Sequence, residues 1–177
     1  MVNPRKNQKV AISIAEKVLG ILLDKASEFG DKISNEKLID CIDEEDCHIG
    51  REKIPKILYD FKRMDYIRRE GDSVVLTDKA KMRVVDKITK KIPASKKNHL
   101  VSFDIPEGMR RNRNQFRRTL KRIGFIQIQK SLWAIRKDVG VLVDAAAREY
   151  KISDYVAYFI SEKSNIDKFI GKKIEKE

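Results

Sequence analysis

The stretch His99–Arg136, HLVSFDIPEGMRRNRNQFRRTLKRIGFIQIQKSLWAIR, decides the fold. Its apolar run Leu100 to Phe103 reads as a strand that ends on a lone carboxylate, Asp104. Pro106 and Gly108 break the chain there, since proline lacks an amide donor and glycine accepts backbone conformations other residues avoid. A helix pattern follows: Met109, Phe116, Leu120 and Ile123 fall within one narrow arc at 100° per residue. On the same wheel Arg110, Arg113, Arg117 and Lys121 form one flank, and Arg111, Arg118 and Arg122 a second. Gly124 is the expected stop. Phe125–Ile128 and Lys130–Arg136 then read as two short strands.

Working outward, Val139–Tyr150 has a helix pattern and Asp154–Ile160 (DYVAYFI) that of a fourth strand. The order β-α-β-β-α-β is the ferredoxin-like split βαβ. Upstream, Val10–Phe29 repeats apolar residues at three- and four-residue steps and ends at Gly30. Ser34 is a good N-cap for a short second helix through Leu38, Ile39 and Ile42, after a brief extended residue at Ile33. An acidic loop, DEEDCHIG, precedes a third helix, Arg51–Met64, whose apolar stripe is Ile54, Ile57, Leu58 and Phe61. Pro55 is tolerable only in a first turn, so regular helix is expected from near Glu52. Tyr66–Arg69 and Ser73–Leu76 flank Glu70-Gly71-Asp72 as a hairpin. Thr77 caps a fourth helix, with Ala80, Val84 and Ile88 inward. Three helices, a hairpin and a trailing helix are the order of a winged helix-turn-helix. The expectation is therefore an α+β protein: a winged helix-turn-helix over 1–90, a linker over 91–97, rich in Lys with Pro93, and a ferredoxin-like domain over 98–177. Glu162–Glu177 reads as a short docking helix or a frayed tail.

Charge points to the partner. The 177 residues carry a formal charge of +12, with 21 Lys and Arg against 17 Asp and Glu in residues 1–96 and 18 against 10 in residues 97–177. Such a surplus favours a polyanion, nucleic acid before membrane, with simple solubility as the plainer reading. No run approaches the roughly 20 apolar residues of a membrane span. The basic N-terminus is interrupted by acids and reads as helix, and a cytoplasmic protein is expected. Cys41 and Cys47 make no disulfide framework, and with His48 they fall short of the four ligands of structural zinc. With His48 and His99 the only histidines, no Ser/His/Asp set can be argued.

If the third helix buries its apolar stripe, its outer face presents Arg51, Lys53, Lys56, Tyr59 and Arg63 to a major groove, with Arg68 and Arg69 in the wing. The alternative is a solvated helix used for protein contacts, and Glu52 and Asp60 near this face would repel phosphate. The basic helix 109–123, through Arg110, Arg113 and Arg117, is either a nucleic-acid surface or a solvated or dimer-flanking face. Asp104 has two readings as well. Near a two-fold axis it could meet its mate and hold Mg²⁺ or Mn²⁺, as in a metal-dependent endonuclease, with Glu107 the nearest second ligand. Otherwise it caps the turn or the basic helix.

The strand ending Phe103-Asp104-Ile105-Pro106-Glu107, the Arg-rich helix, Gly124-Phe125 and Gln129-Lys130-Ser131-Leu132-Trp133 resemble the central domain of the PaaX-type repressors of phenylacetate degradation. That domain is in turn similar to the small CRISPR-associated protein of the spacer-integration complex. The resemblance covers roughly residues 98–161. It implies a homodimer formed through ferredoxin-like domains, two winged helices reading a palindromic operator in double-stranded DNA, and Asp104 in the place of the relatives' proposed metal ligand. A non-catalytic adaptor within a larger complex is the third possibility. The family also carries a further C-terminal region past the segment matched here, so no small-molecule effector is assigned.

Overall fold

The computed structural model describes residues 18–21, 32–34, 51–71, 73–163, 165 and 167. The chain is an α+β protein of two compact units, Met1–Val84 and Val85–Glu177.

In the first unit residues 18–21 are helical, and Val18, Leu19 and Ile21 are buried. The rest of the expected Val10–Phe29 helix, the helix begun at Ser34, the acidic loop and Cys41, Cys47 and His48 lie outside the described residues. Strand β1 (Lys32–Ser34) pairs antiparallel with β3 (Ser73–Leu76), Ile33 opposite Val74. Helix α1 (Ile54–Arg63) starts later than expected. Arg51–Lys53 forms a 3-10 turn, and the α-helix begins only at Ile54, one residue before Pro55, whose missing N–H has no acceptor to satisfy in a first turn. Ile54 and Phe61 are buried and Ile57 and Leu58 half-buried, as their spacing requires. β2 (Ile67–Glu70) pairs with β3 across a tight turn in which Gly71 has φ +61°, a left-handed conformation that suits glycine. The sheet order is β1-β3-β2. Thr77 caps α2 (Asp78–Arg83): its hydroxyl oxygen accepts from the Ala80 N–H at 3.3 Å. The continuous fourth helix expected here breaks at Val84 (φ −118°), and α3 (Val85–Lys91) belongs to the second unit.

Residues 94–97, expected to be linker, open the long strand β4 (Ala94–Phe103). Composition conceals this because Lys96 and Lys97 sit on an exposed strand end, where nothing demands apolar side chains. Helix α4 (Arg110–Ile123), β5 (Ile126–Gln129), β6 (Leu132–Lys137), α5 (Gly140–Glu149) and β7 (Val156–Ser161) follow, with a 3-10 turn at Ser153–Tyr155. The sheet order is β5-β6-β4-β7 and every pairing is antiparallel. That is the split βαβ arrangement: β4 lies between β6 and β7, and β6 between β4 and β5.

Register assigns the faces. Val101 pairs with Trp133 and Tyr158, and Phe103 with Val156. This is the helix-covered face, since the Phe103 ring meets Phe116 of α4 edge-on at 5.5 Å between centroids. Phe116, Leu120 and Ile123 are buried on α4, and burying an aromatic or Leu side chain contributes about 1.5–3 kcal/mol. Gly124 closes the helix at φ +97°, the left-handed C-cap its sequence position suggests. Tyr150 anchors α5 to α4: its carbonyl accepts from Asn112 Nδ2 at 2.7 Å and its hydroxyl bonds the Thr119 hydroxyl at 2.7 Å.

Candidate functional site: a basic helix face, a strand-end cleft and a cationic groove

In the first unit the apolar stripe of α1 turns the opposite face outward. Lys53, Lys56 and Arg63 are exposed there, and Tyr59 is 68% exposed, unusual for an aromatic residue. Arg63 pairs with Asp60 at 3.7 Å, a contact worth little at a solvated surface. In the hairpin the exposed Arg68 pairs with Asp65 at 3.2 Å, and Arg69 Nε donates to the Gly71 carbonyl at 3.2 Å. Asp65 also lies before the hairpin with φ +56°, and the Arg68 guanidinium holds its carboxyl below the usual carboxylate range. Four of the seven first-unit candidates (Lys53, Lys56, Tyr59, Arg63) thus share one helix face, and Arg68 and Arg69 lie in the hairpin. The side chain of Arg51 lies outside the described residues.

In the second unit β4 delivers Asp104 to the rim of a cleft of about 780 Å³, walled by the loop to α4, one flank of α4 and the turn before β7. The Asp104 backbone N–H donates to the Tyr155 carbonyl at 3.0 Å, which fixes the strand end against that turn. Its carboxylate is exposed. Asp104 occupies neither N-cap position: the N-cap of the 3-10 turn Glu107–Met109 is Pro106 and that of α4 is Met109, and neither makes a side-chain cap. Glu107 engages the helix cations instead, accepting from Arg113 at 2.7 Å with Arg110 at 3.8 Å. The Arg113 guanidinium holds the Glu107 carboxyl below its ordinary range, with Arg110 and Lys130 adding to the effect.

Arg113 and Arg117 are less available than a helical wheel suggests. Arg113, 19% exposed at its side chain, also donates to the Ile105 carbonyl at 3.1 Å. Arg117 donates to the Lys130 carbonyl at 3.1 Å and lies over the Phe103 ring at 5.5 Å. Their methylenes cover the strand ends while their charged heads face the cleft. Three carboxylates, Asp104, Glu107 and Asp154, face three cations, Arg113, Arg117 and Lys130, so the cleft is close to charge-balanced. Asp154 was not anticipated, because only the fold carries the turn before β7 to the end of β4. Among the described residues no group of three or more His, Cys, Asp or Glu side chains is placed to hold a metal ion. The donors that one chain offers at Asp104 are thus two free carboxylates, set against cations.

Sequence spacing also concealed a buried polar cluster at the opposite end of β4. His99 Nδ1 lies 2.5 Å from the Tyr158 hydroxyl and Nε2 lies 3.0 Å from Ser95 Oγ, with Asp138 3.9 Å from Nδ1. This brings together a serine, a histidine and an aspartate, but in a structural arrangement. Tyr158 stands between imidazole and carboxylate, Ser95 Oγ also accepts from the Lys97 N–H at 3.1 Å, and His99 is 2% exposed. Burial and the nearby Asp138 charge push the Tyr158 hydroxyl up to about 12.

Fold and site together define a split βαβ domain whose first helix carries the basic charge, preceded by a separate unit that exposes a basic helix face. Residues 93–170 match the family model described as the PaaX protein central Cas2-like domain. No match was found among curated proteins or among solved structures. Among the described residues no helix is long and apolar enough to cross a membrane.

Proposed function

We propose that this chain is a PaaX-like transcriptional regulator, a repressor that binds double-stranded DNA as a homodimer. The observation that carries the reading is the outer face of α1, where Lys53, Lys56, Tyr59 and Arg63 stand clear of the core formed by Ile54 and Phe61. In this reading the first unit is a winged helix-turn-helix: α1 enters the major groove, and Arg68 and Arg69 of the β2–β3 hairpin grip the backbone. The ferredoxin-like second unit joins two copies, so that dimer geometry sets the half-site spacing. The PaaX central-domain match over 93–170 supports regulation over catalysis.

A second reading, metal-dependent cleavage of nucleic acid at Asp104, draws on the exposed carboxylates of Asp104 and Asp154 in one cleft. Incubating the full chain with a pool of random duplexes, first in EDTA and then with Mn²⁺, separates the two. The regulator predicts a palindromic motif enriched in EDTA and intact DNA throughout. Cleavage that requires Mn²⁺ and disappears in Asp104→Ala, without an enriched motif, would replace the first reading with the second.

A further inference from the structure

The two depressions flanking Arg117 differ in charge. The strand-end cleft matches cations with carboxylates, whereas a neighbouring groove of about 390 Å³, between α4 and β5/β6, is lined by Arg117, Arg118, Lys121 and Lys130 and by no carboxylate. Gln127 and Trp133 complete the polar lining used below. Arg117 and Lys130 are shared with the cleft and its carboxylates, so Arg118 and Lys121 are the cations peculiar to the groove, and bulk water screens their repulsion less in a concave site than on an open face. Within the described residues Arg118 and Lys121 have no ion-pair partner, in contrast to Arg122, which reaches Asp86 at 2.6 Å. Two buried donors of the lining lack acceptors. Trp133 is 1% exposed and its indole Nε1 has no hydrogen-bond partner, and the same holds for Arg117 Nε. A buried N–H left unsatisfied is costly, and native structures rarely tolerate it without a compensating ligand or water.

We propose that this groove binds a phosphate group, through Arg118 and Lys121 with Lys130 and the Arg117 head behind them. Phosphate answers each feature: it brings compensating charge, accepts several hydrogen bonds at once, and suits arginine's forked donors. The site is distinct from the α1 face and does not depend on operator recognition. Two sources share this chemistry, the backbone of a nucleic acid and a free phosphorylated small molecule.

The test uses the full chain carrying Lys56→Ala, so that α1 contributes little, in fluorescence anisotropy with a labelled duplex of arbitrary sequence and with pyrophosphate as competitor. Arg118→Gln/Lys121→Gln should weaken the duplex at least about tenfold and flatten the salt dependence by roughly two phosphate contacts. Arg111→Gln/Lys151→Gln removes the same charge elsewhere and should change affinity less than about threefold. If pyrophosphate binds directly to the parent and not to Arg118→Gln/Lys121→Gln, the source is a small phosphorylated ligand. If only the duplex binds, the source is backbone. Equal losses in both double variants would reduce the groove to general charge, and no loss in Arg118→Gln/Lys121→Gln would remove it. Operator selection by α1 is read with Lys56 and Arg63 intact, so neither failure would be mistaken for the other.

Discussion

Glu107 determines how the Asp104 cleft behaves with pH. Its carboxyl is held below the ordinary value by Arg113, so the pairing is fully present above about pH 4.5 and is lost as pH falls through the lower folded-state value. Following the Glu107 side-chain carboxyl by carbon NMR should give a midpoint below 4.5, and Arg113→Gln should return it to the ordinary range. An unshifted midpoint in the parent would mean that the 2.7 Å contact does not persist in solution. Tyr158 has the opposite sign. A hydroxyl raised to about 12 contributes stability that is intact below pH 10 and lost as pH rises from 10 through 12. Ultraviolet titration of tyrosinate should show one group ionising late, and that group should vanish in Tyr158→Phe. Gly140 is constrained by the same side chain, since a Cβ there would lie 2.9 Å from the Tyr158 ring. Gly140→Ala should lower stability by about 1–3 kcal/mol in urea unfolding, and an unchanged midpoint would show that the ring moves freely.

Helix α4 does two jobs with two faces. Phe116 packs on Phe103 and is fully buried, so Phe116→Ala should cost about 3–5 kcal/mol, read as a shift in urea midpoint. The elements of this half were legible because each obeyed a single period: 3.6 in α4, with Gly124 as the stop, and short apolar strands on either side. Boundaries moved where chemistry was mixed. β7 starts two residues later than the DYVAYFI pattern suggests, because Ser153–Tyr155 winds into a 3-10 turn. β4 starts earlier, because its lysine-rich end is solvated. The break at Val84 left no mark in the sequence, since Val84 and Val85 are both buried and extend the apolar pattern across it. The site was legible only in residue type. Spacing placed Arg113 and Arg117 on one flank of α4, but their clamps onto the Ile105 and Lys130 carbonyls depend on strand ends that the wheel does not contain. For the same reason Asp154, Trp133 Nε1 and the His99 cluster were invisible: each is assembled from segments far apart in the chain.

For the whole molecule, charge is distributed in functional blocks. The basic surplus of residues 97–177 is concentrated on α4, where one flank is tied to Glu107 and backbone carbonyls while Arg118 and Lys121 remain open. In the first unit Lys53, Lys56 and Arg63 are exposed on the same face of α1 as Tyr59. Under the proposed function, the first unit would recognise sequence and the second would set geometry and non-specific affinity. The decisive experiment is a mobility-shift titration on a duplex enriched from the random pool, comparing the parent chain with Lys56→Ala and Arg63→Ala while light scattering follows the oligomer. Each substitution should weaken binding about tenfold or more and leave the dimer intact. Undiminished affinity in both variants would contradict α1 as the reading helix, and with it the assignment of the first unit to operator recognition.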